Sequence, residues 1–283
     1  MRDQRQTNEH TTMSRRELLG GAAAVAALAM APSMLRTAAG QPAAKPDSKF
    51  NGVQIGTITY SFRDLPGTAE DLLKYTVQAG ISSIELMAEP AEQFAGIPGG
   101  PQAKDWRLSA PMDKFQALRK LYNDAGVSIH IVKFGNIGEG NMSDGEIDYC
   151  FKVAKALGAN GITREISEDA AKRLAPFADK HQIMIGFHNH TQMTPTTYEG
   201  PILSYSKYLG INFDIGHYVA GTNQCPMDII RKYHDRILSL HLKNRKVNNG
   251  PNMPFGQGDT PVALVLLMLK REKWTFPADI ELE

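Results

Sequence analysis

Residues 183–190 read IMIGFHNH, 211–217 INFDIGH, 237–243 ILSLHLK and 278–283 ADIELE. Each is a short apolar run of strand character ending in a residue able to bind a metal: His188, Asp214, His241 and Glu281. Successive candidates are 26, 27 and 40 residues apart, roughly the length of one strand-plus-helix unit. Residues i and i+2 share a face of a strand, so His188 points with His190, Asp214 with Gly216, His241 with Lys243, and Glu281 with Asp279 and Glu283. A parallel barrel brings such strand ends together at one mouth, where its sites form. Four scattered polar residues become one candidate metal site.

Working outward, apolar runs alternate with helical patterns from Phe50 onward. VQIGTITYSF (53–62), SSIELMAE (82–89), VSIHIVKF (127–134) and NGITREI (160–166) supply the first four strands. Helices are predicted over 69–80, 111–126, 144–158, 167–181, 200–208, 225–233 and 260–273, with a Pro- and Gly-rich loop after strand two through Pro101. In the second of these, Phe115, Leu118, Leu121 and Tyr122 follow helical spacing and Gly126 ends the run. Strands alternating with helices form a parallel sheet, and eight of them make an α/β protein of the (β/α)8 TIM-barrel class rather than an open doubly wound sheet. The sequence stops at Glu283, at the end of strand eight. The barrel is therefore expected to lack its last helix, as a truncated chain or fragment would, with apolar surface on strands one and eight left uncovered.

Residues 1–39 stand apart from this pattern. Ser14-Arg15-Arg16-Glu17-Leu18-Leu19 precedes a weakly hydrophobic, Ala- and Gly-rich run, Gly20 to Ala31, and resembles a twin-arginine export signal with a cleavage site near Thr37-Ala38-Ala39. The protein is expected to be periplasmic or otherwise exported by that route, which carries folded proteins. Residues 40–49 read as a disordered linker and 50–283 as the barrel domain. A net charge of +1 gives no sign of a nucleic-acid surface. The mature region has no run of ~20 apolar residues, so no stable membrane insertion is expected once the leader is removed. Cys150 and Cys225 share no metal-type spacing and read as packing residues. Composition leaves a homo-oligomer open.

HNH closing strand five, FDIGH strand six, HLK strand seven and IELE strand eight, with MPFGQGDTP (253–261) between the last two, resemble the sugar phosphate isomerase/epimerase family, the xylose-isomerase-like TIM barrels. The resemblance covers nearly all of the mature chain. It implies one divalent ion, manganese for preference with zinc, cobalt or iron as alternatives, held by His188, Asp214, His241 and Glu281. His188 departs from the pattern, since the epimerases and dehydratases of the family carry Glu there. Two imidazoles with two carboxylates suit Mn, Fe, Co or Zn better than Ca or Mg. The resemblance also makes His190 and His217 groups that bind substrate hydroxyls or move protons. Glu281 is then a proton-transfer base as well as a ligand.

Other residues are singled out by their setting. Lys243 shares the face of His241 and would favour a negative substrate oxygen. Glu85 (IELM) and Glu165 (TREI) are carboxylates within apolar strands, costly to bury unless they reach the mouth and a partner. Glu165 is a candidate base, while Glu85 and Arg63, just after strand one, are candidate substrate groups, with Arg63 also placed to meet Glu85. GNIGEGN (135–141) lacks both the Lys-Ser/Thr of a phosphate loop and dinucleotide spacing, and reads as a flexible loop over the mouth.

These features point to a metal-dependent sugar isomerase or epimerase acting through an enediolate on a small-molecule carbohydrate or polyol. The alternatives are a lyase or dehydratase acting on a keto-sugar or 3-keto-glycoside, and a non-catalytic sugar-binding barrel. An endonuclease IV-like nuclease would need more ligands and a basic face, which the charge argues against.

Overall fold

The computed structural model describes residues 45–283. The expected export signal, residues 1–39, and the first part of the expected linker, residues 40–44, lie outside the described residues.

Eight parallel strands close on themselves. They are β2 (Val53–Ile58), β3 (Ser83–Met87), β4 (Ser128–Lys133), β5 (Gly161–Glu165), β6 (Met184–His188), β7 (Leu209–Asp214), β8 (Ile237–Leu242) and β9 (Ala278–Ile280). Each pairs with its neighbour in sequence, and β9 returns to β2 with Gly56 opposite Asp279. The (β/α)8 barrel class is as the sequence predicts. Around it lie α1 (Ala69–Gln78), α2 (Ala88–Ala95), α3 (Gln102–Ser109), α4 (Met112–Asp124), α5 (Asp144–Leu157), α6 (Glu168–His181), α7 (Ile215–Thr222), α8 (Met227–Tyr233) and α9 (Val262–Glu272). Local chemistry starts and stops them. Ser143 and Glu146 form a reciprocal capping box at the head of α5, and Gly158 ends that helix at φ 75°. The main hydrophobic core lies between helices and strands, where Phe115, Leu118, Phe151, Leu174 and Leu269 pack on outward strand residues such as Ile84 and Ile162.

Several boundaries differ from the sequence prediction. The linker is not disordered to its end: β1 (Lys49–Phe50) pairs antiparallel with β2, and the buried Ser48 hydroxyl donates to the Ile55 carbonyl. Strand one stops at Ile58 because Thr59–Phe62 tighten into a 3-10 turn. The loop predicted through Pro101 contains α2, ended by Gly96 at φ 93°. The helix predicted at 200–208 is instead a pair of 3-10 turns, Thr197–Glu199 and Pro201–Leu203, broken where Gly200 meets Pro201. Strand six ends at Asp214, whose side chain caps α7, so His217 sits in the first turn of a helix. No helix follows β9 among the described residues. On the outside of the β2–β9 seam, Ile55, Leu242, Val262, Leu266 and Ile280 line an apolar groove of about 530 Å³. No helix among the described residues is long and apolar enough to cross a membrane.

The barrel interior is polar. Such barrels are usually filled by branched apolar side chains. Here Ser83, Glu85, His130, Thr163, Asn212, Ser239, His241 and Asp279 are all buried and bond across the lumen. Asn212 on β7 donates to Glu85 on β3, and His130 on β4 meets Asp279 on β9 at 2.9 Å. Asp279 leaves no room beside it, since a Cβ on Gly56 would fall 1.9 Å from its Oδ1. This polar column is the floor of the site above it.

Candidate metal centre

The four predicted ligands meet. His188, Asp214, His241 and Glu281 each place a ligand atom within 4.8 Å of the others, and all four are buried at the C-terminal mouth of the barrel. His188 ends β6; its Nδ1–H donates to Asn212 Oδ1 at 2.7 Å, leaving Nε2 as the free nitrogen. Burial, with His241 and Lys133 nearby, holds its pKa well below the ordinary imidazole range, so the ring is neutral and can ligate. Asp214 accepts the His217 backbone N–H at Oδ1 (2.6 Å) as the helix cap, while its buried Oδ2 has no hydrogen bond. Burial pushes its pKa up to about 6, against the pull of Lys243.

His241 lies between two carboxylates, with Nε2 2.8 Å from Glu85 Oε2 and Nδ1 2.8 Å from Glu281 Oε2. Carboxylates only accept, so the ring donates on both sides. Burial opposes its charge, but Glu281 and Glu85 raise its pKa well above the usual range. Burial likewise opposes the charge on Glu281, yet His241 and Lys243 keep that carboxyl far below the carboxylate range.

Lys243 is 2% exposed, with Nζ 3.2 Å from Asp214 Oδ2 and 3.1 Å from both Glu281 Oε2 and Glu283 Oε2. His217 takes Arg245 Nη1 at 2.7 Å on Nδ1 and Lys243 Nζ at 2.9 Å on Nε2. A neutral ring has one lone pair and accepts from one of them at a time. Burial and Lys243 lower its pKa to about 3.

A second constellation borders the first and opens to solvent. His190 Nε2 lies 2.7 Å from Glu165 Oε2, with side-chain exposures of 43% and 39%. Lys133 Nζ holds Glu165 Oε1 at 3.1 Å. The close Glu165 carboxylate raises the pKa of His190, while His190 and Lys133 lower that of Glu165 in spite of its partial burial. The His190 ring centroid is 5.0 Å from that of His188 and 4.9 Å from that of His217.

Two sequence expectations are redirected. Glu85 lies in the floor, fully buried, with Oε1 taking the Thr163 hydroxyl at 2.5 Å and Oε2 taking Asn212 and His241, so no oxygen is left for a substrate. Arg63 does not reach Glu85; the 3-10 turn carries it outside, where it is exposed and donates to the Leu282 carbonyl at 2.6 Å. The 135–141 loop is pinned rather than free: Arg164 binds the Ile137 carbonyl and Arg173 those of Glu139 and Met142. Lys133, Asn212 and Arg245 are site residues that the sequence motifs did not single out. The first two were accessible to the period-2 rule, since Asn212 lies two residues before Asp214 and Lys133 ends strand three.

The donor set suits a divalent ion. Asp214 Oδ2 is a buried carboxylate oxygen without a hydrogen bond, offset only by the Lys243 ammonium at 3.2 Å, and a divalent ion would satisfy it directly. A neutral imidazole nitrogen and two more anionic or imidazole groups stand within ligand range of it.

No protein-family profile matches this sequence, and no curated protein matches it. Solved structures do. The probable 3-DHS dehydratase AsbF from Bacillus anthracis matches at TM-score 0.61 and 15% identity, over 81% of this chain and 93% of that one. A sugar phosphate isomerase/epimerase from Parabacteroides distasonis matches at TM-score 0.57 and 18% identity, over 84% and 91%. A xylose isomerase-like TIM barrel protein from Mycobacterium smegmatis, in complex with magnesium, matches at TM-score 0.56 and 14% identity, over 81% and 90%. At these identities the likeness is one of architecture, and the chain has the fold of the xylose-isomerase-like TIM barrels.

Proposed function

We propose that this barrel is a metal-dependent enzyme that moves a proton on a carbohydrate carrying adjacent carbonyl and hydroxyl groups, as a sugar isomerase or epimerase. The observation that carries this is the juxtaposition of the four-ligand cluster with the solvent-reaching Glu165–His190 pair. The fold neighbours labelled isomerase/epimerase and dehydratase support an enzyme of carbohydrate type. His188 through Nε2, Asp214 through Oδ2, His241 and Glu281 would hold one divalent ion, for which manganese, zinc, cobalt or iron suits the mixed donors. Such an ion would polarise the two substrate oxygens and acidify the C–H between them.

The chain's own groups do the rest. Glu165 Oε2 lies 2.7 Å from His190 Nε2 as an ion-pair neighbour without hydrogen-bond alignment, and the carboxylate charge would keep the proton on Nε2 and leave Nδ1 as the basic nitrogen. Lys133 fixes Glu165 and hence the ring. His190 takes this role in preference to Glu281, whose carboxylate is buried and engaged by His241 and Lys243. Lys243 and His217 line the same mouth and would meet the substrate hydroxyls or the oxygen that gains charge.

A single base on one side suits isomerisation, in which the same ring returns the proton to the neighbouring carbon. It equally serves a lyase on a keto-sugar or 3-keto-glycoside, where loss of a β-oxygen follows proton removal; His188 in place of a second Glu counts against two-face epimerisation and supports either single-base reading.

The test is metal analysis of the purified protein, joined to a panel of ketoses and 3-keto-glycosides incubated in D2O. Deuterium uptake next to the carbonyl, dependent on a chelatable ion, is the expected result. Metal uptake without exchange on any member would favour a sugar-binding barrel.

A further inference from the structure

We propose that Glu85 is a positioning residue that, with Asn212, makes the two histidine ligands offer opposite ring nitrogens to the ion. The inference rests on the metal reading above and deepens it. Glu85 is fully buried, one layer below the ligands, so it cannot itself meet substrate. Its Oε2 accepts from His241 Nε2 at 2.8 Å, which commits that nitrogen to a proton, so that the proton Nδ1 now gives to Glu281 is the one an ion would replace. The same Oε2 accepts from Asn212 Nδ2 at 3.1 Å. Asn212 Nδ2 is thereby turned toward Glu85 and Ser239 (2.6 Å), so its Oδ1 is presented to His188 Nδ1–H at 2.7 Å. That commits Nδ1 of His188 to a proton and leaves Nε2 for the ion. Glu85 is thus the hub from which both tautomers follow, and the Thr163 hydroxyl at 2.5 Å fixes its other oxygen. Hydrogen-bond partners of this kind orient ligating imidazoles and commonly contribute 10–100-fold to metal affinity.

Two measurements test this. In the zinc-loaded wild-type protein with 15N-labelled histidine, ring nitrogen spectra should show His241 bound through Nδ1 with Nε2 protonated, and His188 bound through Nε2 with Nδ1 protonated. In the second, Glu85→Gln should weaken Co2+ binding about 10- to 100-fold in competition with a chromophoric chelator. Its visible absorption bands should also shift, a signature that a merely structural role would leave unchanged. Both histidines bound through the same nitrogen, or a Glu85→Gln protein with wild-type affinity and spectrum, would overturn this inference alone. A wild-type protein that takes up neither zinc nor cobalt would overturn the metal reading and this inference together.

Discussion

The ammonium of Lys243 lies 3.1 Å from Glu281 Oε2, within the carboxylates of the candidate metal centre, and Asp214 Oδ2 stands 3.2 Å away on its other side. The folded chain therefore carries its own cation among acids that would otherwise repel. Removing one partner of a buried pair costs roughly 3–5 kcal/mol because the other charge is left uncompensated. For a domain of this size each kcal/mol is about 2–4 °C in melting temperature. Lys243→Met is expected to lower the melting temperature of the metal-free protein by roughly 6–20 °C on those scales. Added Mn2+ should then raise it by more than in the wild type, since the ion takes over the neutralisation. Differential scanning fluorimetry with and without Mn2+ checks both parts. An unchanged metal-free melting temperature would mean that Lys243 does not balance this cluster.

Away from the mouth, Asp148 ties α5 to α6, with Lys152 Nζ at 2.8 Å, Lys180 Nζ at 2.6 Å and His181 Nε2 at 2.8 Å. Partial burial works against its charge, but the three donors hold its pKa well below the carboxylate range. A depressed folded-state pKa stabilises the fold above the unfolded value near 4, and that contribution fades as pH falls through the folded value. Asp148→Asn should therefore cost about 1 kcal/mol at neutral pH, a figure kept small because two of the partners are surface lysines. The gap between mutant and wild type should begin to narrow below about pH 4 and close only as pH falls through the lower folded value. Urea denaturation at pH 7 and at about pH 2 measures both ends, and a gap that persists undiminished in acid would contradict the assignment.

What was legible in the sequence follows from two periodicities. The apolar runs gave all eight barrel strands, because strands buried on both faces read as continuous hydrophobic stretches. Period 2 then placed His188, Asp214, His241 and Glu281 together, since each ends such a run. Depth inside the barrel was not legible: nothing in IELM tells that Glu85 stops one layer short of the mouth, because that depends on the stagger of β3 against β4, which shifts register between Ile84 and Glu85. The direction of Arg63 was lost for a related reason, as one 3-10 turn rotates it out of the barrel. The pinned 135–141 loop was hidden because its anchors, Arg164 and Arg173, lie on the following strand and helix.

Residues 1–39 carry a prediction independent of the barrel. We propose export by the twin-arginine route, from Ser14-Arg15-Arg16 and the mild apolar run after it. Replacing Arg15 and Arg16 together by Lys should leave an uncleaved precursor in the cytoplasm, seen by fractionation and immunoblot. Export of that variant at the wild-type level would assign the leader to another pathway.

The sharpest chemical prediction separates two candidate bases. In the barrel as folded, Glu281 is a buried carboxylate held by His241 and Lys243, whereas His190 is half exposed and oriented by Glu165 at 2.7 Å. His190→Asn keeps a polar group of similar size but no basic nitrogen. It should retain the ion and lose proton exchange by about 10²- to 10⁴-fold, the usual contribution of a positioned general base. Glu165→Gln removes the charge that orients the ring and should lose less, about 10²-fold at most, at the low end of that range. Glu281→Gln should instead weaken ion binding first, since it removes an anionic ligand, and excess metal should restore much of the exchange. The readouts are metal content and the rate of deuterium uptake on whichever keto-sugar of the panel exchanges with the wild type. If His190→Asn exchanges at the full rate while metal-saturated Glu281→Gln does not, the base is Glu281, acting as ligand and proton acceptor at once, and the Glu165–His190 pair serves only to shape the mouth.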